Sequence, residues 1–216
     1  RCLRRPFALL ATALAAAPVV AQTPIARPSI QAARVAPGAI VIDGRLDDAA
    51  WAPVPAATDF TQQQPNAGAP ARQRTEARVA YDAQNLYVAF RNIDTAPDSV
   101  ARQLARRDVD DIYADWAYVA FDSFLDRRTG FLFGISAAGQ QFDTFLFNDT
   151  QDDVQWDAVW QSAVGRDAQG WTAEIRIPLS QLRFTPPADG AAPRWGVNFG
   201  RILARAGADD DQAKLR

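Results

Sequence analysis

The side chains in this sequence best suited to chemistry are tryptophans and carboxylates. Six tryptophans occur in 216 residues: Trp51, Trp116, Trp156, Trp160, Trp171 and Trp195. A flat aromatic face can stack on the apolar C–H face of a sugar ring, while planar polar groups beside it fix the hydroxyls. Indoles also fill cores, and strand phase separates the two uses. In Asp115–Asp122, Ala117, Val119 and Phe121 share one face, and Trp116, Tyr118 and Asp122 share the other. The first set suits a core. The second mixes aromatics with a carboxylate, as a ligand-binding face does. Trp156 and Trp160 share a face of another candidate strand, ~13 Å apart along it, so they could line successive positions of a sugar chain. Trp171 shares a face with Ala173, Ile175 and Ile177, and Trp51 lies beside Leu46 and Ala50, so both read as core.

Carboxylates cluster twice. Asp108, Asp110, Asp111 and Asp115 precede one strand; Asp149, Asp152, Asp153 and Asp157, with Asn148, precede another. Oxygen-rich loops suit calcium. Asp149, Asp152 and Asp153 are the predicted ligands of a stabilising calcium, the alternative being an ordinary acidic surface loop. Glycoside hydrolysis needs two carboxylates about 5–10 Å apart across a cleft. No motif selects such a pair, and no catalytic residue is assigned. The chain has no histidine, no methionine and one cysteine, Cys2, ahead of an apolar run. His-based acid–base catalysis, Ser-His-Asp triads and the usual zinc sites are therefore excluded, and haem would lack its usual axial ligands once Cys2 is removed. A net charge of -2 with no basic stripe leaves no footprint for nucleic acid.

The elements that must position these groups are short strands. Thr75–Tyr81 alternates with period two, Asp82–Asn85 is a turn, and Leu86–Ile93 completes a hairpin. Further strands are predicted near Ala39–Ile42, Trp116–Phe124, Phe131–Ser136, Gln141–Phe147, Trp156–Val164, Trp171–Ile177 and Trp195–Leu203. This spacing predicts an all-β fold, an antiparallel, jelly-roll-like β-sandwich over residues 39–205. Short helical turns are expected at Asp47–Trp51, Asp98–Arg106 and Pro178–Leu182. Ahead of it, Arg1, Arg4 and Arg5, the apolar run Phe7–Val20 and small residues to Ala21 have the order of a signal peptide over 1–21. An Ala- and Pro-rich linker over 22–38 follows, and 206–216 is expected to begin a further region of a longer protein.

Ile42-Asp43-Gly44-Arg45-Leu46-Asp47-Asp48-Ala49-Ala50-Trp51 resembles the opening signature of the family 9 carbohydrate-binding modules. Leu86–Phe90 is similar to the hairpin that follows it, and Gly170–Pro178 to the family's late strand. Phe121–Gly130 and Trp195–Arg201 are similar to a subgroup in which the module precedes a large β-barrel-like, outer-membrane-associated region. The resemblance implies a β-sandwich, an oligo- or polysaccharide ligand held by paired aromatics, structural calcium, and association with xylan or cellulose breakdown. Trp116 is the first positional candidate for such an aromatic, and Trp156 or Trp160 the next. The expected protein is an exported, non-catalytic sugar-binding domain of the periplasm, outer membrane or extracellular space. The alternatives are an envelope interaction domain without a sugar ligand and an accessory module of a glycoside hydrolase.

Overall fold

Alternating apolar residues, punctuated by Gly, Asp and Pro, fold into two stacked sheets. The computed structural model describes residues 28–109, 111–148, 151–186, 188 and 193–206, with the backbone of 211–215. The expected signal peptide over 1–21 lies outside these residues, as do Asp110 and Asp149.

Among the described residues twelve strands form: β1 (Ala33–Arg34), β2 (Thr61–Gln64), β3 (Thr75–Tyr81), β4 (Asn85–Ile93), β5 (Trp116–Asp122), β6 (Gly130–Ser136), β7 (Gln141–Phe147), β8 (Gln151–Asp153), β9 (Gln161–Asp167), β10 (Gly170–Pro178), β11 (Gly196–Leu203) and β12 (Asp211–Leu215). One sheet has the order β1-β3-β4-β10-β9, the other β2-β12-β11-β5-β6-β7-β8. Every pairing is antiparallel except that of β1 with β3. The expected all-β sandwich is what forms, and its helices among the described residues are short 3-10 turns.

The core lies between the sheets. Val88, Phe90, Trp171, Ile175 and Ile177 meet Val119, Phe121, Phe131, Phe133, Ile135 and Phe199 across it. Phe90 and Phe199 make an edge-to-face contact with ring centroids 6.0 Å apart. Each fully buried side chain of this size contributes roughly 1.5–3 kcal/mol.

The hairpin β3–β4 forms as its alternation predicts, with Tyr81 opposite Leu86. Its turn is fixed by Asp82. One carboxylate oxygen accepts the Gln84 and Asn85 amides at 2.7 Å each, and the other accepts the Tyr87 hydroxyl at 2.9 Å. Burial pushes the Asp82 pKa up, but these donors outweigh it and hold the group below its ordinary value.

Several boundaries differ from expectation. Residues 39–42 make no strand. They lie across the outer face of the five-stranded sheet, where Ile40, Trp51 and Val54 cover Ala80, Tyr87 and Ala89. Ala33–Arg34, within the expected linker, pairs with Ala80–Tyr81. The expected helix over Asp98–Arg106 is reduced to one turn at Pro97–Ser99. Beyond it Val100 and Ala101 are buried, and Gln103 pairs with Tyr113. The expected strand Trp156–Val164 begins only at Gln161, because the Asp143 carboxylate takes the Ala158 amide at 2.7 Å and the Trp160 indole N–H at 3.0 Å, turning the preceding segment inward. Residues 211–215, expected to start a separate region, pair with β11 and β2 inside the seven-stranded sheet.

Candidate functional site

The signature Ile42–Trp51 is an anchor. Glu174, fully buried on β10, accepts the Trp51 indole N–H at 2.9 Å, the Gly44 amide at 3.0 Å and the Asp43 amide at 3.2 Å. Thr172 donates its hydroxyl to the Gly44 carbonyl at 2.6 Å. Burial pushes the Glu174 pKa up, against the pull of these donors. Gly44 has φ +85°, and a Cβ there would run into the backbone of Val164. Only glycine fits this contact.

The strand-phase reading of β5 places Ala117, Val119 and Phe121 in the core, as observed. Trp116 and Tyr118 occupy the opposite face, stacked at 5.6 Å and 17°. Trp116 is only 2% exposed, however. Phe142 meets its edge at 6.4 Å, and Ile112, Ala114, Leu132 and Ile202 complete a second small core on that face. Asp122 stands at the far end of the strand, ~20 Å from Trp116, where it accepts the amides of Asp126 and Arg127. The three residues do not form one site.

Trp156 and Trp160 are turned inward as well. Trp160 is 5% exposed and packs edge-on against Phe133 at 5.5 Å; Trp156 is partly buried against Phe131 and Phe133. Both face the main core.

An open groove of about 640 Å³ lies at the end of the sandwich where β5 begins. It is bordered by Asp98, Ser99, Arg102, Leu104 and Tyr113, with Ala101 and Ala137 beneath. Tyr113 is 57% exposed and Leu104 77%. Their loop is closed by an antiparallel bridge of Arg102 with Ala114. The Gln103 amide donates to the Tyr113 carbonyl at 3.0 Å, and the Tyr113 amide to Gln103 Oε1 at 2.9 Å. Ile112 and Ala114 seat on Trp116, so Trp116 supports the loop that presents Tyr113.

Beneath the groove lies a buried ionic layer. Asp94 accepts both Arg205 Nη2 contacts, at 2.6 and 2.7 Å, and Arg201 Nη2 at 3.2 Å. Arg205 reaches the Ser99 hydroxyl at 3.0 Å. The Asp115 amide donates to Ala101 and its carbonyl accepts from Ala137, fastening the groove floor to β5. Burial pushes the Asp115 carboxyl above its ordinary pKa, in spite of nearby Arg201 and the Ala204 amide. An exposed ring flanked by a carboxylate, a guanidinium and a hydroxyl suits a polyhydroxylated ligand. Strand phase did not find Tyr113, because it lies in an acidic loop outside any alternating run.

The acidic clusters are rearranged as well. Asp152 and Asp153 are exposed neighbours on the edge strand β8, so their side chains point to opposite faces. One carboxylate from each sequence cluster, Asp108 and Asp157, instead joins buried Asp143, with oxygens within 4.8 Å of one another. The Arg107 guanidinium lies among them, 2.7 Å from Asp157, 3.4 Å from Asp108 and in contact with Asp143.

The model of the carbohydrate family 9 binding domain-like family matches residues 42–201. The chain belongs to this family. The matched span opens on the Asp43–Gly44 bend and closes on Arg201 of the ionic layer. This family 9 domain has the fold of a family 9 carbohydrate-binding module from Caldicellulosiruptor kristjanssonii, solved with cellotriose: the TM-score is 0.58 at 17% identity, covering 86% of this chain and 84% of that one. The glucose complex of a family 9 module from the same organism aligns with the same score and identity, covering 86% and 85%. No curated protein sequence matches the chain. As for calcium in this family 9 domain, the ion takes six to eight oxygen ligands. The described trio offers carboxylate oxygens but already encloses a guanidinium charge, so the set as arranged does not fit the ion.

Proposed function

We propose that this family 9 domain binds a saccharide end or short oligosaccharide in the groove bordered by Tyr113, with Tyr113 as the stacking ring. Asp98, Arg102 and Ser99 would fix hydroxyls, and Trp116 would position the loop from beneath. The observation that carries the reading is the large, exposed Tyr113 ring over a groove whose rim holds a carboxylate and a guanidinium. A sugar needs both the flat face and the planar hydrogen-bonding groups. The ligands of the structurally similar modules, glucose and cellotriose, support a gluco-configured sugar.

Among the described lining residues Asp98 is the single carboxylate. Hydrolysis uses two, and we read the domain as non-catalytic. The signal-like order of residues 1–21 supports export, and we place the domain in a cell-envelope protein linked to breakdown or uptake of xylan- or cellulose-type polysaccharide.

Calorimetry with glucose, cellotriose and xylotriose tests the reading. Tyr113→Ala should lower affinity by roughly tenfold or more, on the 1–3 kcal/mol scale of one lost stacking contact. Its unfolding midpoint should stay near that of the parent, since Tyr113 is exposed. Undiminished affinity in Tyr113→Ala would move the site elsewhere, and absence of binding to every sugar would favour an interaction domain.

A further inference from the structure

The guanidinium of Arg205 joins the buried ionic layer to the rim of the groove. Its place is set from below. β11 runs beside β5 with Ile202 opposite Trp116. The Asp115 carboxylate accepts the Ala204 amide at 3.2 Å, so the turn Ala204–Ala206 starts at the groove end of the sandwich. Buried Asp94 then orients the Arg205 side chain: its two oxygens accept Nη2 at 2.6 and 2.7 Å. The other arm of the fork, Nη1, lies 3.0 Å from Ser99 Oγ and 3.3 Å from the Ala96 carbonyl. Arg201, the second partner of Asp94, is committed elsewhere. It is 1% exposed, and its Nη1 donates to the Ile93 carbonyl at 2.8 Å and reaches the Arg74 carbonyl at 3.3 Å, tying one sheet to the other.

These contacts decide what Ser99 can offer a ligand. A serine hydroxyl has one proton and two lone pairs. The proton goes to the Ala96 carbonyl at 2.8 Å, inside a turn that Asp94 closes by accepting the Ala96 amide at 2.7 Å. One lone pair takes Arg205 Nη1. A donor pressed on Oγ from that side keeps the hydroxyl proton on the other, at Ala96. A single lone pair remains, and Ser99 is exposed on the groove. Toward a ligand Ser99 can therefore accept a hydrogen bond but not donate one. The carboxylate of Asp98, its neighbour on the rim, is a second acceptor.

We propose that Arg205 is a positioning residue of the saccharide groove and sets its selectivity: by fixing the Ser99 hydroxyl as an acceptor, it makes the rim choose a ligand hydroxyl that can donate. This role, which rests on saccharide binding in the groove, requires no contact between Arg205 and the ligand. Arg205 acts through Ser99.

Calorimetry with cellotriose tests it. Arg205→Lys keeps a cation for Asp94, but one ammonium cannot sit on Asp94 and Ser99 at once as the guanidinium fork does. A role confined to the ionic layer leaves affinity in Arg205→Lys near that of the parent. The positioning role lowers it by roughly three- to tenfold, the scale of one hydrogen bond, and Ser99→Ala should match that loss. The double variant should bind no more weakly than either single one, since both remove the same contact. Ser99 is exposed, so Ser99→Ala should unfold at the parent's midpoint, and unfolding curves show whether Arg205→Lys is folded. Glucoses with one hydroxyl replaced by fluorine, which cannot donate, read the selectivity. One of them should bind the parent several-fold more weakly than glucose, and that difference should shrink in Arg205→Lys and in Ser99→Ala alike. Full affinity in Arg205→Lys, or additive losses in the double variant, overturns the proposal. If Tyr113→Ala is weakened while Arg205→Lys is not, the groove stands and only the role of Arg205 falls. If Tyr113→Ala also binds as the parent does, the saccharide site lies elsewhere and both fall.

Discussion

Replacing Trp116 by alanine separates a packing role from a ligand-stacking one. The side chain is 2% exposed and enclosed by Tyr118, Phe142, Ile112, Leu132 and Ile202. Truncating a buried tryptophan typically costs ~3–5 kcal/mol, the sum of lost transfer energy and the cavity left behind. Here the lower half of that range is expected, because one wall of the site is the loop 102–114, which can settle inward where a sheet cannot. A domain of this size is stable by about 5–15 kcal/mol, so the variant should fold with a much lower urea midpoint and an unchanged slope. Trp116→Phe should recover about half the loss, in proportion to the area refilled. Saccharide affinity should fall in Trp116→Ala, because Ile112 and Ala114 lose their platform, and should return in Trp116→Phe. Urea titrations followed at two wavelengths, paired with calorimetry, read both quantities. A stability change below about 1 kcal/mol would refute the packing argument. Normal stability with lost sugar affinity would restore Trp116 as a stacking residue.

Other perturbations have equally definite outcomes. Gly44→Ala places a Cβ against the Val164 backbone at positive φ, and should cost more than the ~1 kcal/mol of the unfavourable conformation alone, read from a lowered denaturation midpoint. The Asp82 pKa is lowered in the fold, so its contribution is complete above the unfolded value of about 3.9 and disappears as pH falls through the folded one. Tyr87→Phe should narrow that window, and unfolding curves at a series of acid pH values would show it. Arg107→Met leaves buried Asp143 beside Asp108 and Asp157 without its guanidinium, and should destabilise by roughly 3–5 kcal/mol at neutral pH. With the cation gone, millimolar calcium should raise the melting temperature of that variant but not of the parent.

Much of the scaffold is legible in the sequence because its causes are local. The hairpin 75–81/85–93 follows from alternation and one capping carboxylate, and the two faces of β5 from period two. What escapes is whatever depends on a distant partner. Period two puts Trp116 on the outer face but cannot show that Ile112, Phe142 and Ile202 cover it. Trp156 and Trp160 look like one strand face until Asp143, 13 residues or more upstream, captures the segment. Glu174 has the alternation of a solvent-facing polar residue, yet it is the buried acceptor for a bend more than a hundred residues earlier. Tyr113 sits in no periodic run, and only the fold of the loop reveals its exposure. Asp108 and Asp157 fall in separate sequence clusters, and β7 and Arg107 bring them together.

The tie between Glu174 and the Asp43 amide spans 131 residues. During synthesis the early segment therefore waits for its anchor. At elongation rates of about 5–20 residues per second, Trp51 and Ile40 spend roughly 7–26 s without the strand that fixes them. Nor can they seat firmly on the β3–β4 hairpin alone, since an isolated two-stranded hairpin is marginal in water. Nascent chains that stop short of β10 keep this indole and its apolar neighbours exposed. Chaperone capture of this chain should therefore persist until residue 174 has emerged and fall sharply afterwards.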